Sequence, residues 1–141
     1  MTPGFLSAVL DTLLPGDHGA PPLPTGTAAG VAAKLAHLVA RRDGARHHVV
    51  LQAIARAARG EEAFVLADPA GRIAAVRLVE AEMREPFRAF VALVLQDYYE
   101  ADAVLLAMGW RAAPPQPEGH VLPPFDETLL EAVRRRGRIW R

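Results

Sequence analysis

Apolar residues recur along this chain at helical spacing, and no stretch alternates apolar and polar positions as a half-buried strand would. The clearest stripe lies after Pro86. Phe87, Phe90, Val91, Val94, Leu95 and Tyr98 fall at i, i+3, i+4, i+7, i+8 and i+11, which is one face of an α-helix. Arg88, Gln96 and Asp97 fall largely off that face. Pro86 suits a first helical position, where its missing N–H would lack a partner anyway. The residue before a proline is pushed out of the α region, so a break or kink is predicted at Glu85. A second, short helix carries Val104, Leu105 and Met108, and Gly109 is placed to stop it in a left-handed conformation. Trp110 then caps the junction, and Pro114, Pro115 and Pro117 impose an extended path.

The rest of the chain reads the same way. Phe5, Leu6, Val9, Leu10 and Leu13 predict a first helix, ended by Pro15-Gly16-Asp17. Residues 15–30 are rich in Pro, Gly and Thr and form a loop that either packs across the surface or carries function. Thr25 or Thr27 can cap a second helix with Val31, Leu35, Leu38 and Val39 inward and Arg41 and Arg42 in its last turn. Asp43 can cap a third, with Val50, Leu51, Ile54 and Ala58 inward and Gly60 at its end. Residues 61–67 form a short turn or helix that buries Phe64. Asp68-Pro69 opens a fourth long helix through Ile73, Val76, Arg77, Leu78, Glu80 and Met83 to Arg84. Asp126 caps a last helix, Gly137 stops it, and Ile139-Trp140 can fold back as an apolar anchor.

The fold class that follows is all-α: a single compact multi-helix domain over residues 1–141, with a Pro/Gly-rich loop at 15–30, a Pro-rich exit at 111–125 and a C-terminal helix at 126–136. At 141 residues one domain is the simplest division.

Charge narrows the function. The formal net charge is +0, which argues against nucleic acid or an anionic membrane as partner. The basic run Arg134-Arg135-Arg136-Gly137-Arg138 reads as a solvated helix end that complements the helix dipole. With no cysteine, disulfides and thiolate chemistry are excluded. No apolar run reaches the roughly 20 residues of a membrane span. As written, the chain has no signal segment and is expected in the cytoplasm, or in the periplasm if a signal was removed.

Candidate chemistry is sparse. Of the five histidines, His47 and His48 diverge on a helix, and His37 has Arg41 rather than a ligand at i+4, so no metal ligand is assigned. Asp17-His18 reads as a turn with an Asx-type aspartate. Glu61-Glu62 and the group Asp97, Glu100, Asp102 read as ordinary helix-end acids, with no spacing that implies paired carboxylates across a cleft. Ser7 is the one serine and lies inside the first helix. No catalytic or cofactor-binding residue is assigned. Tyr98, Tyr99 and Trp110 are stronger candidates for a partner interface, because such rings join an apolar body to a hydrogen-bonding tip. Pro114, Pro115, Pro117 and His120 extend that candidate surface.

Three segments carry a family resemblance: FLSAVLDTLLPGD (Phe5–Asp17), FRAFVALVLQDYYEADAVLLAMGW (Phe87–Trp110) and PPQPEGH (Pro114–His120). Together they resemble gluconate 2-dehydrogenase subunit 3-type proteins. The resemblance implies a small, non-catalytic subunit with no cofactor of its own. It implies a large partner, an FAD-dependent oxidoreductase of the glucose–methanol–choline type that oxidises sugars or related alcohols. Members often carry a twin-arginine signal, which this sequence lacks. The alternatives are a stand-alone enzyme or binder for a sugar-like ligand, with a pocket lined by Tyr98, Trp110 and His120, and a homo-oligomeric helical protein.

Overall fold

A computed structural model describes residues 1–39, 45–111, 124 and 126–137. Among these residues every regular element is helical: α1 (Pro3–Leu13), α2 (Val31–Val39), α3 (Ala45–Ala57), α4 (Glu61–Leu66), α5 (Pro69–Glu82), α6 (Arg84–Tyr99), α7 (Asp102–Ala107), a 3₁₀ turn (Glu127–Leu130) and α8 (Glu131–Arg136). The fold is all-α, as the spacing predicts. Arg41, Arg42, Asp43, Pro114, Pro115, Pro117, His120 and the Ile139-Trp140 anchor lie outside the described residues.

α3 is the central element, in contact with α2, α4, α5 and α6. Its Val50, Leu51 and Ile54 are fully buried, each burial contributing about 1.5–3 kcal/mol. α1 closes the other side against α2, α4 and α5. Phe5 of α1 meets Phe64 of α4 edge to face, with ring centroids 5.4 Å apart, and both rings are buried. Outside the core, the Thr2 N–H donates to Glu61 Oε2 at 2.7 Å, which ties the start of α1 to the start of α4.

Capping explains the boundaries. Thr2 accepts from the Phe5 N–H at 3.3 Å, and Asp68 accepts from the Gly71 N–H at 2.7 Å with Pro69 following it. Arg72 donates to the carbonyl oxygens of Phe64 and Val65, placing a cation on the C-terminal end of α4. Asp126 accepts from the Thr128 N–H and hydroxyl, and Gly137 (φ 69°) ends α8.

Three local readings need correction. The break between α5 and α6 falls at Met83, not Glu85, and α6 starts at Arg84. Pro86 is the third helical residue, where its absent N–H still leaves no intrahelical bond unmade. In α5 the buried residues are Ala75, Val76 and Val79, while Ile73 and Leu78 are exposed. α5 packs against α3, and its inward face is made of Ala and Val rather than the largest residues. At the end of α3 the left-handed residue is Arg59 (φ 66°), one position before the expected glycine. The Arg59 N–H donates to the Arg56 carbonyl at 3.0 Å and the Gly60 N–H to the Ala55 carbonyl at 2.7 Å, a Schellman closure. Gly109 (φ 76°) closes α7 by the same pattern in the place the sequence indicates.

The 15–30 loop packs across the domain. The Asp17 carboxylate accepts from the N–H groups of Gly19 and Leu23 at 3.1 and 3.0 Å. Thr27 N–H donates to Asp11 at 2.8 Å, and Gly26 N–H to the Leu14 carbonyl at 2.9 Å. A Cβ on Gly26 would lie 3.0 Å from the Leu10 carbonyl oxygen, so only glycine lets the loop sit this close to α1.

Candidate functional site

The inward face of α6 is Phe87, Phe90, Val94 and Tyr98, with Val91 at its flank and Leu95 on its exposed rim. Tyr98 is the last member of that face and is only 3% exposed. Its hydroxyl donates to the Pro24 carbonyl oxygen at 2.6 Å. Burial, with smaller contributions from Tyr99 and Asp17, holds its phenol above the ordinary value. Tyr98 therefore locks the loop to α6 and offers no free surface to a partner, contrary to its place among the interface candidates.

Tyr99, one residue on, is rotated about 100° around the helix and is 50% exposed. The two rings meet edge to face at 5.3 Å, so the buried tyrosine fixes the exposed one. Beyond Glu100 the chain turns into α7, which buries Val104 and leaves Leu106 62% exposed. Met108 and Trp110 follow, also exposed, Trp110 at 63%. Tyr99, Leu106, Met108 and Trp110 are thus exposed apolar side chains at the end of α6 and along and just after α7, among the described residues. Large exposed apolar patches mark interaction surfaces more often than scattered single residues do. Leu106 escapes the sequence reading, and Met108, read there as part of the short helix's apolar set, is exposed. Their signal is the brevity of α7, too short for its Leu and Met residues all to point at one core.

Three acids lie in the same stretch of chain, one of them, Asp97, on the groove between α2 and α6. Glu100 caps α6, accepting from the Gln96 amide at 3.1 Å, and Asp102 opens α7. Both are exposed and Asp97 is half-buried.

Elsewhere the polar groups organise structure. Backbone N–H donation from Leu23 and Gly19 holds the Asp17 carboxyl below the usual range, the behaviour of a turn organiser. The Thr2 N–H does the same for Glu61. His47 is 4% exposed in α3, its ring 6.2 Å from that of Phe90. Its Nε2 accepts from Arg46 Nε–H at 3.3 Å, and its Nδ1 has no partner among the described residues. Burial, then the Arg46 charge, lowers its pKa. His48 points elsewhere, into a groove of about 430 Å³ with Gln52, Arg56 and Glu61. A groove of about 530 Å³ between α2 and α6 is lined by Lys34, His37, Leu38, Leu93 and Asp97. Among the described residues no three His, Asp or Glu side chains converge as metal ligands would, and no helix is long and apolar enough to cross a membrane.

Compared with protein-family models, curated proteins and solved structures, the chain matches none of them.

Proposed function

We propose that this chain is a non-catalytic helical subunit that binds and stabilises a larger FAD-dependent oxidoreductase of the glucose–methanol–choline type. The substrate class would be sugars or related alcohols, and the FAD would belong to the partner. The observation that supports the reading is the exposure of Tyr99, Leu106, Met108 and Trp110 close together in the chain, two of them interface-favoured aromatic residues. Trp and Tyr side chains contribute most to interface free energy when a partner covers them. The resemblance of the three segments quoted above supplies the kind of partner. The alternative of a ligand pocket lined by Tyr98, Trp110 and His120 loses support from Tyr98, whose ring is enclosed and whose hydroxyl is committed to Pro24. Coexpression with an FAD-dependent oxidoreductase encoded beside this chain, followed by size-exclusion chromatography, tests the reading. Co-elution supports it; separate elution at micromolar concentration, with flavoenzyme activity unchanged, overturns it.

A further inference from the structure

We propose that the groove beside α3 is a binding site for a small monocarboxylate with a short apolar tail. The proposal stands apart from the partner reading. Its residues lie on α1, α2, α3 and the start of α4, and none belongs to the stretch from Tyr99 to Trp110.

The polar half follows from helix geometry. His48, Gln52 and Arg56 recur at i, i+4 and i+8, so α3 presents them as one row. They line a groove of about 430 Å³, within the roughly 300–1,000 Å³ of small-molecule sites. Glu61, the first residue of α4, lines it too. The Glu61 carboxylate is already engaged: it accepts from the Thr2 N–H at 2.7 Å and pairs with the Met1 amine at 3.4 Å. Arg56 is not engaged in that way. The arginine side chains that donate to protein partners among the described residues are Arg46, Arg72, Arg88 and Arg135. The Arg56 guanidinium therefore faces the groove region with its donors uncommitted.

The apolar half adjoins it. A hollow of about 220 Å³ is lined by Leu6, Ala36 and Val39, and it shares Met1 and His48 with the polar groove. His48 thus stands where a polar and an apolar compartment meet. Leu6 is a core residue, Val39 is half-buried and Ala36 is exposed on α2.

That pairing selects the chemistry of the ligand. A guanidinium forks onto a carboxylate through two parallel N–H···O bonds, and the Gln52 amide and the His48 ring can add donors. One guanidinium beside the Glu61 carboxylate suits a single negative charge better than a phosphate dianion. A tail that reaches the hollow exchanges water for Leu6, Ala36 and Val39. A headgroup without a tail, or a tail without a headgroup, uses half of the site.

The test is an NMR titration of the isotope-labelled full chain with sodium hexanoate, read at the backbone amides. Saturable shifts are expected at Ala36, His48, Gln52 and Arg56. Acetate, hexanol and inorganic phosphate should each bind at least about tenfold more weakly. Arg56→Gln should weaken hexanoate by about tenfold and leave hexanol unchanged. Ala36→Leu, which fills the hollow from an exposed helical position, should weaken hexanoate and leave acetate unchanged. Both substitutions keep good helix formers, so the melting temperature of each free variant should stay at the wild-type value, which separates lost binding from misfolding. The comparison of the four probes on the wild-type chain decides the matter even if a variant misfolds. Hexanol or phosphate binding as tightly as hexanoate, or hexanoate binding that ignores Arg56→Gln in a folded variant, overturns the carboxylate assignment. Shifts that do not saturate, or that are confined to α6 and α7, overturn the site itself. Each of these failures leaves the subunit reading standing, because that reading is decided by the complex with the flavoenzyme.

Discussion

The Tyr98 hydroxyl and the Pro24 carbonyl lie 2.6 Å apart, joined by a hydrogen bond across 74 positions of sequence. It closes the 15–30 loop onto the last turn of α6 and makes that turn a rigid base for Tyr99.

Replacing Tyr98 by Phe leaves the Pro24 carbonyl without its donor. The expected loss is roughly 1–3 kcal/mol by urea denaturation, the cost of an unsatisfied, partly buried acceptor. Limited proteolysis should reach the 15–30 loop sooner in the variant. Wild-type stability and cleavage rate would show that the bond holds nothing.

Arg59 sits in the left-handed region at φ 66°, where a side chain is strained. Arg59→Gly should raise stability by about 0.5–1 kcal/mol, the relief of strain exceeding the entropy of the added glycine. Gly109 has φ 76° and open space around its Cβ position, so Gly109→Ala should cost about 1 kcal/mol from conformation alone, without a clash. Thermal or chemical denaturation of the two variants, read together, tests the sign of each.

Acid should destabilise the chain in two windows. His47 has a folded pKa below its ordinary value of 6.5, so the unfolded chain takes up a proton that the folded chain resists. Stability should fall as pH drops through about 6.5, and His47→Leu should flatten that slope. Glu61 is held below its ordinary value of 4.5 chiefly by the Thr2 N–H. Its contribution is present above that value and is lost as pH falls further, and Glu61→Gln should remove that second step. Denaturation midpoints collected from pH 2 to 8 separate the two.

Much of this architecture is legible in the residues themselves, for identifiable reasons. Asp68-Pro69, Gly109 and the Phe87–Phe90–Val94–Tyr98 stripe are local signals, and each appears where its chemistry puts it. The misreadings come from tertiary choices. Ile73 and Leu78 are the bulkiest apolar residues in their part of α5, yet the buried side is that of Ala75, Val76 and Val79, because α5 packs against α3 through it. Arg59 is left-handed because the hydrogen-bonded closure onto Ala55 and Arg56 falls one residue before the glycine. Of the candidate residues, the exposure of Tyr99 follows from its rotation of about 100° off the apolar stripe, while the enclosure of Tyr98 depends on a loop far away in sequence. The exposure of Leu106 and Met108 emerges only once α7 is seen to bury Val104 alone.

The most direct test is the fluorescence of Trp110 in a Trp140→Phe background, recorded with and without the coexpressed flavoenzyme. The account predicts red-shifted, readily quenched emission from the free chain, then a blue shift and protection from acrylamide when the complex forms. Emission that is already blue and protected in the free chain, or that stays red and quenchable in a formed complex, would contradict it.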